Sequence, residues 1–287
     1  MQPVIEAFFD PRTNSYSYVV SDPTSASCAI IDPVLDYDPA AGRIFHACVN
    51  RLFAYVRERG LRVEWVLETH VHADHLSAAM IIRQSLGGRL AIGAGITSVQ
   101  STFGQLFNLG DEFPRDGSQF DQLFADGDSF HIGNLHARVL HTPGHTAACV
   151  TYLIGDAAFV GDTLFMPDYG TARCDFPGGN ARQLYASIQR LLRLPESTRL
   201  FVCHDYKAPG RDEFQCETTV AAQRQHNLHI RQGISEESFV NMRTARDAAL
   251  SMPALMLPAI QANMRAGQLP PAESNGVSYL KIPLDVF

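Results

Sequence analysis

Apolar runs separated by turn residues dominate the first third of the chain. Residues 6–9, 16–21 and 28–31 form short runs of this kind and predict β-strands. An Asp-Pro pair comes directly after each run, and such pairs favour a turn over a continued strand. The pattern therefore predicts that the chain begins with three short strands joined by turns.

A helical pattern comes next. Apolar side chains recur at three- and four-residue spacing in residues 43–59, which predicts a helix that Gly60 ends. Shorter apolar and amphipathic runs follow it. They predict a strand at 63–67, a helix at 74–86 and a strand at 89–92.

The pattern weakens between residues 97 and 124, where a short helix precedes a polar stretch. We interpret this segment as an excursion over the surface and a candidate cover for a binding site. Beyond it the predicted elements are strands at 129–132, 135–140, 149–154 and 157–160, a helix at 180–192, a strand at 200–203 and helices from about 218 onward.

This order of elements suits two mixed β-sheets sandwiched between helices, an α/β architecture. No internal repeat or linker divides the sequence. We therefore predict one domain, with a core of about 1–215 and a helical C-terminal extension of about 216–287.

Composition narrows the class of protein. The chain has 287 residues, of which 46% are hydrophobic, enough for a buried core. Its net charge of −7, without a dense basic run, argues against a nucleic-acid partner. No apolar run approaches the roughly 20 residues of a membrane helix, and residues 1–13 lack signal-peptide features. Six cysteines without a CxxC pair indicate reduced thiols, so we expect a cytoplasmic protein without a membrane partner.

Four groups able to bind a transition metal lie within six residues, directly after a predicted strand: His70, His72, Asp74 and His75. In an extended stretch His70 and His72 project to the same side. A helix starting near Asp74 would aim Asp74 and His75 at the same point. The alternative is a solvated histidine-rich loop, but it does not explain the further candidates below.

Three more candidate ligands follow later strands. His145 ends a His-Thr-Pro-Gly-His turn, Asp162 lies in Gly-Asp-Thr, and His204 comes directly after a buried strand. All these positions are junctions between strands and loops, where a rigid element can position a group and the loop gives access. The sequence therefore predicts a metal centre.

These seven positions resemble the pattern of the metallo-β-lactamase superfamily, in residue type and order, across most of the chain. The resemblance implies an αββα sandwich of two mixed sheets flanked by helices, with metal at one sheet edge. Functions vary widely within this superfamily, so the fold alone does not define the reaction.

Glyoxalase II is one branch with this framework. A match to it implies two zinc ions and hydrolysis of a glutathione thioester by activated water. One zinc would be held by His70, His72 and His145, the other by Asp74, His75 and His204, with Asp162 between them.

The persulfide dioxygenases, also called sulfur dioxygenases, are a second branch. The resemblance to them implies one Fe(II) held by His70, His145 and Asp162, a two-histidine, one-carboxylate set with open positions. The remaining positions would then surround the site or mark an unused second metal position: His72, Asp74, His75 and His204. The implied partners are glutathione persulfide and O₂, which with water give sulfite and glutathione.

Local segments favour the dioxygenase. Residues 170–176 resemble its Gly-x-x-Arg-x-Asp-Phe stretch, and residues 203–206 resemble its Ala-His-Asp-Tyr. Two features depart from it: the long segment 97–124, and Thr163-Leu164-Phe165 after Asp162, which is found in many hydrolases. We expect a persulfide dioxygenase, and the dinuclear zinc hydrolase stays open as the alternative.

The resemblance also implies residues for the substrate. Arg173 and Tyr206 match positions that contact glutathione in related enzymes. Lys207 and Arg211 lie nearby in sequence and are expected to help, since arginine binds carboxylates through two parallel hydrogen bonds. The sequence leaves open which metal is loaded and whether the protein forms a homodimer.

Overall fold

The computed structural model describes residues 1–286, whose strands form two six-stranded sheets and one three-stranded sheet. The first large sheet contains, in spatial order, β1 (Val4–Asp10), β2 (Ser15–Ser21), β3 (Ser27–Ile31), β6 (Arg62–Leu67), β8 (Arg89–Gly93) and β9 (Gln122–Phe124). The second contains β10 (Ser129–Ile132), β11 (Leu135–His141), β12 (Val150–Ile154), β13 (Ala157–Phe159), β14 (Arg199–Phe201) and β15 (Glu217–Thr219). The small sheet contains β5 (Arg43–Phe45), β4 (Val34–Asp38) and β7 (Leu76–Ser77).

Both large sheets are mixed. In the first, β3, β6, β8 and β9 run parallel, and β1 and β2 extend it in antiparallel fashion. In the second, the β13–β14 pair is parallel and the other pairs are antiparallel. The parallel pairs bring the carboxyl ends of β3 and β6, and of β13 and β14, to common edges.

Helices cover the outer faces of both sheets. They are α1 (Ala47–Glu58), α2 (Ala79–Leu86), α3 (Ile96–Leu106), α4 (Ala181–Leu191), α5 (Val220–His226), α6 (Glu236–Asp247) and α7 (Met256–Asn263). No helix within residues 1–286 is both long enough and apolar enough to cross a membrane.

The core has three layers because strand side chains alternate between faces. On β3, Ile31 packs between the two large sheets with Tyr152 and Phe201, whereas Ile30 points outward into a cluster that includes residues of α1, α2, α3 and α7. A third cluster joins the second sheet to α4 and α6, with Phe239 fully buried. The prediction of two mixed sheets between helices is confirmed.

Two predicted helices begin later than expected. Residues 43–45 form β5, which pairs with β4, so the first helix begins at Ala47 and not at residue 43. The predicted helix 74–86 begins at Ala79, because Leu76 and Ser77 pair with β4 as strand β7. In both cases pairing with β4 overrides the local helical periodicity. Asp74 and His75 therefore lie in a loop.

Segment 97–124 is not a surface excursion, contrary to the sequence interpretation. Apart from α3 and β9 it has little regular structure, but it buries four aromatic side chains in the outer cluster that also contains α7: Phe103, Phe107, Phe113 and Phe120. Burial of large aromatic rings holds the segment on the core although polar residues separate them.

The predicted helical C-terminal segment is present as α5, α6 and α7, preceded by β15. It is less helical than expected, because residues 268–286 contain turns and irregular structure without a helix. Ala259, Ile260 and Met264 pack into the outer cluster beside α1 and α2. The end of the chain therefore contributes to the core.

Candidate metal centre

The structure brings the seven predicted metal-site residues together at the carboxyl ends of strands. One part of the set lies in the loop between β6 and β7, and the others follow β11, β13 and β14. The members are His70, His72, Asp74, His75, His145, Asp162 and His204. All are buried except Asp74, which is partly exposed.

Two imidazoles and one carboxylate form the first group. The donor atoms of His70, His145 and Asp162 lie within 4.8 Å of one another. Asp162 Oδ2 lies 3.9 Å from His70 Nε2 and 3.6 Å from His145 Nε2. These three donor atoms are therefore close enough together to share one metal ion.

A second group lies on the other side of Asp162. His72, Asp74 and His75 offer donor atoms within 4.8 Å of one another. His204 Nε2 lies 3.3 Å from Asp74 Oδ2 and 3.3 Å from Asp162 Oδ1. The two oxygens of Asp162 thus face different groups, which is the arrangement that a carboxylate between two metals requires.

Hydrogen bonds at Nδ1 orient the rings of the first group. His145 Nδ1 donates to the carbonyl of Arg173 at 2.8 Å. Thr69 Oγ1 donates its only hydrogen to Asp32, so it accepts from His70 Nδ1 at 3.0 Å. Each Nε2 is left free for a ligand, the usual pattern for metal-binding histidines.

Unpartnered buried atoms test whether this donor set fits a metal. Six such atoms of the seven predicted residues make no hydrogen bond within residues 1–286: His70 Nε2, His72 Nδ1 and Nε2, His75 Nε2, His204 Nε2 and Asp162 Oδ1. A buried polar atom without a partner costs about 1–3 kcal/mol. Imidazole and carboxylate donors suit iron or zinc, so a bound transition metal would remove this cost. The residues fit the group.

The protonation states of His70 and His75 agree with metal binding. Burial and the neighbouring imidazoles lower the pKa of His70 well below its ordinary value. Burial and His72 lower the pKa of His75 to about 4, so both rings are neutral at pH 7. Burial alone would lower the pKa of His204, but Asp162 and Asp74 outweigh it and raise that pKa well above its ordinary value. The carboxylates thus favour a cation here.

A cavity of about 450 Å³ opens onto the first group. Asp162 and His145 line its floor together with Asp74, and apolar side chains such as Phe165 and Leu255 line its walls. The residues of segment 97–124 do not border it, so the expected cover is wrong. The connection from α6 to α7 takes that place, with Leu250, Ser251 and residues 253–255.

The predicted substrate residues divide. Arg173 and Tyr206 line the cavity, and the Tyr206 ring stacks on His204 at 5.7 Å between centroids. Lys207 and Arg211 are not brought to the cavity. Lys207 Nζ lies over the Phe214 ring, and Arg211 is held by Asp205 and Asp168 in ion pairs. Both cations are close to Tyr206 in sequence, but their contacts in the fold hold them away from the cavity.

The family of the chain agrees with this geometry. Residues 10–204 match the family described as "Metallo-beta-lactamase superfamily", and this range includes all seven positions. The chain belongs to the metallo-beta-lactamase superfamily. The fold predicted from the resemblance is confirmed.

Relatives in this superfamily match nearly the whole chain. A probable metallo-hydrolase of Burkholderia pseudomallei is 57% identical over 293 residues, 99% of each chain. Glyoxylase B2 of Dictyostelium discoideum is 49% identical over 98% of this chain and 97% of its own. The mitochondrial persulfide dioxygenase ETHE1 of Bos taurus is 30% identical over 94% of this chain and 91% of its own.

A solved structure agrees. The crystal structure of ETHE1 from Myxococcus xanthus has a TM-score of 0.74 and 31% sequence identity, covering 92% of this chain and 100% of the other. The names of these relatives include a metallo-hydrolase, a glyoxylase and a persulfide dioxygenase, and what they share is an enzyme with a metal-binding fold.

Sequence reasoning missed two buried carboxylates beside this superfamily metal centre. Asp32, at the end of β3, accepts from Thr69 N at 2.7 Å and lies 3.1 Å from His72 Nε2. Glu68, at the end of β6, lies 3.4 Å from the same nitrogen. A signal was present, because Asp32 ends a strand, as the predicted ligands do. The sequence interpretation placed Asp32 in an Asp-Pro turn and gave it no role at the metal site.

Two cations at the cavity were also missed. Arg12, in the β1–β2 turn, and Arg246, on α6, line the cavity mouth and are exposed. Neither forms an ion pair within the described residues, whereas the Arg173 guanidinium is paired with Asp175 at 2.6 Å. Nothing in the sequence around Arg12 or Arg246 marks them, because only folding brings residues 12 and 246 to one cavity.

Helix α6 also supports the loop that orients His145. Arg243 is buried and donates to the carbonyl of Thr171 at 3.0 Å, and it pairs with Asp247. Asp247 in turn accepts from Cys174 N at 2.8 Å. The loop is thus held on both sides of Arg173, whose carbonyl receives the His145 hydrogen bond.

Proposed function

We propose that this protein is a non-haem Fe(II) persulfide dioxygenase with one iron per chain, held by His70, His145 and Asp162. The proposed reaction combines glutathione persulfide, O₂ and water and gives sulfite and glutathione. The observation that carries the proposal is this two-histidine, one-carboxylate set, whose donor atoms lie within 4.8 Å of one another. Two of its members line a cavity large enough for a peptide-linked substrate.

Bound Fe(II) would supply open coordination positions and the redox change that oxygen chemistry needs, which zinc lacks. The chain supplies the orientation. His145 is held by the Arg173 carbonyl and His70 by Thr69, so both present Nε2 to the same space. Phe165 and Phe176 line the cavity next to this space and exclude water from the sulfur end of the substrate.

The charges at the mouth suit the other end of the substrate. Glutathione carries two carboxylates, and Arg12 and Arg246 are the cations that line the cavity without an acidic partner among residues 1–286. We propose that they bind these carboxylates. Tyr206 is proposed to contact the peptide. Arg173, whose guanidinium already binds Asp175 and the Ser251 carbonyl, is proposed to shape the cavity wall.

The relatives support this proposal in part. Persulfide dioxygenase ETHE1 of Bos taurus is similar over 94% of this chain, and the ETHE1 structure from Myxococcus xanthus over 92%.

We also propose a cytoplasmic location, because all six cysteines are free thiols, as is usual in a reducing compartment.

The second candidate is a dinuclear zinc hydrolase of glutathione thioesters. Asp162 favours it, because Oδ2 faces His70 and His145 while Oδ1 faces His204. Greater sequence identity to a probable metallo-hydrolase and to glyoxylase B2 also supports it. In this case His72, Asp74, His75 and His204 would be ligands.

Metal analysis combined with two assays tests the proposal. Protein purified anaerobically with its own metal is expected to contain one iron per chain. With glutathione persulfide under air it should consume O₂ and form sulfite. His145→Ala and Asp162→Ala should abolish both signals, and Arg193→Gln, an exposed cation away from the cavity, should change neither.

Two zinc ions per chain, together with hydrolysis of S-lactoylglutathione and no O₂ uptake by the iron-loaded protein, would overturn the dioxygenase and support the hydrolase. O₂ uptake without sulfite would contradict the proposed product.

A further inference from the structure

The C-terminal helix α7 sends one buried side chain into the loop of the candidate metal centre. Asn263, the last residue of α7, is 5% exposed. Its Nδ2 donates to the carbonyls of His72 and His75, both at 2.8 Å. Its Oδ1 accepts from Ser77 N at 2.8 Å. Both N–H groups and the carbonyl oxygen of the side-chain amide therefore form hydrogen bonds with residues 72–77, which lie nearly 190 residues earlier in the sequence.

This stretch contains three of the predicted metal-site residues, and its path orients one of them directly. His75 Nδ1 donates to the carbonyl of Leu76 at 3.0 Å, which leaves His75 Nε2 buried and without a hydrogen bond among the described residues. Asn263 holds the peptide on both sides of Leu76, through the His75 carbonyl and the Ser77 amide. The direction of the His75 ring thus depends on a backbone that Asn263 holds.

A second connection leads from Asn263 to His72. Ser77, whose amide binds Asn263, donates its hydroxyl to Glu68. Glu68 Oε2 lies 3.4 Å from His72 Nε2. The carbonyl of His72 is bound by Asn263 itself. Asn263 therefore acts on His72 through its backbone and, by way of Ser77 and Glu68, on its ring.

Helix α7 cannot shift easily, so Asn263 is a firm anchor. Ile260 and Met264 are buried in the outer cluster, and Gln100 Nε2 donates to the Met264 carbonyl at 2.9 Å. After the helix, Gly267 passes so close to β7 that an added Cβ would lie 2.6 Å from the Ser77 carbonyl oxygen. The loop is packed against a rigid part of the core.

We propose that Asn263 is a positioning residue of the metal centre, which holds the loop 72–77 so that its histidines keep the geometry needed for metal. The proposal rests on metal binding by the second group, His72, Asp74 and His75, and not on the three residues proposed to hold iron or on whether the reaction is an oxidation or a hydrolysis. It assigns the last helix a role in the chemistry, beyond its share of the core.

Metal affinity of two Asn263 variants tests this. Asn263→Asp keeps the size and the acceptor for Ser77 N but loses both donors to the carbonyls. Asn263→Leu loses all three hydrogen bonds. Gln261→Leu is the matched control: Gln261 is also buried on α7, but its amide binds Leu257 and Lys281 and not the loop. Each full-length apoprotein is titrated with Co²⁺, whose visible spectrum reports coordination, and with Zn²⁺ against a chromophoric chelator.

Loss of a residue that supports metal ligands weakens metal binding by about 10–100-fold. We expect this loss, with an altered Co²⁺ spectrum, in Asn263→Asp and Asn263→Leu, and wild-type binding in Gln261→Leu. The melting temperatures of the apoproteins are measured in parallel. If Gln261→Leu lowers the melting temperature as much as Asn263→Asp does but leaves metal affinity unchanged, the loss of affinity in Asn263→Asp comes from positioning and not from stability.

Wild-type Zn²⁺ affinity and Co²⁺ spectrum in both Asn263 variants would overturn the proposal. Equal loss of affinity in Gln261→Leu would do so too, because it would show general loosening of α7. Neither result depends on O₂ uptake, so failure of the proposed dioxygenase activity is a separate outcome.

Discussion

At the scale of single residues, His229 shows how a partly buried, neutral imidazole supports the site. Its Nδ1 accepts from Thr171 N at 3.0 Å, at the start of the loop that leads to Arg173. Burial, with Arg243 and Arg246 nearby, lowers the pKa of His229 from 6.5 to about 4. A protonated ring could not accept this hydrogen bond, so the loop depends on the neutral form.

This pKa makes stability depend on pH. Between pH 6.5 and 4 the unfolded chain takes up the His229 proton before the folded chain does. The stability that neutral His229 contributes is therefore complete above about pH 6.5 and is lost as the pH falls toward 4.

The substitution His229→Asn separates this effect, because Asn Oδ1 can accept from Thr171 N but does not titrate. We expect the stability difference, wild type minus variant, to shrink as the pH is lowered from 7 to 4. Urea unfolding of the metal-free proteins at several pH values measures it. A difference that stays constant over this range would show that His229 has an ordinary pKa.

Residue types in the sequence singled out seven positions that the folded chain brings together, because imidazole and carboxylate side chains recur directly after its strands. They did not predict the residues that support it. Asp32 and Asn263 are a common turn residue and a common helix-end residue in the sequence, and their contacts with Thr69, His72 and His75 exist only in the folded chain.

At the scale of elements, α4 and the turn before His145 depend on each other. The Asn180 side chain caps α4 by accepting from Gln183 N at 3.0 Å, and the Asn180 backbone N–H donates to the carbonyl of Gly144 at 2.7 Å. Gly144 has φ +142°, and an added Cβ would lie 2.3 Å from the backbone of Leu184. The turn that presents His145 is therefore packed directly against the helix.

Two substitutions should have different effects here. Asn180→Ala removes only the cap and is expected to cost about 1 kcal/mol of stability without changing Zn²⁺ affinity. Gly144→Ala forces the turn away from α4, so it should weaken Zn²⁺ binding as well as stability. Urea unfolding and Zn²⁺ competition measure both. Unchanged Zn²⁺ affinity in Gly144→Ala would show that the turn moves without His145.

Periodicity predicted most strands and helices, including the helix at 180–192, but it failed where an element exists only through pairing. Strand β7 has two residues and is held by β4, so no local pattern could distinguish it from the first turn of a helix. The same reason explains β5.

At the scale of the whole molecule, the cavity combines distant parts of the chain. Arg12 comes from the first turn, Arg173 from a central loop and Arg246 from α6. The protein has a net charge of −7, yet its cavity mouth is cationic. An anionic substrate is thus attracted to the mouth and not to the rest of the surface.

We expect Arg12→Gln and Arg246→Gln each to raise KM for the proposed glutathione-linked substrate about tenfold, because each loses one charge-assisted hydrogen bond. Changes in kcat should be small, because neither residue contacts the metal group. The effect should decrease at high salt, which screens exposed charges. Arg193→Gln, which removes an exposed charge elsewhere, is the control. A KM unchanged in both cavity variants would exclude them from substrate binding.

The sequence by itself determined the layered α/β fold and singled out the seven residues that the fold brings together as a candidate metal centre, because both follow from local patterns: alternation within strands, and possible ligand side chains directly after them. Only the tertiary structure decided that Lys207 and Arg211 point away from the cavity, that Arg12 and Arg246 line it, and that Asn263 holds the metal loop. These contacts join residues far apart in the chain, and their partners depend on how sheets and helices pack, which no local pattern records.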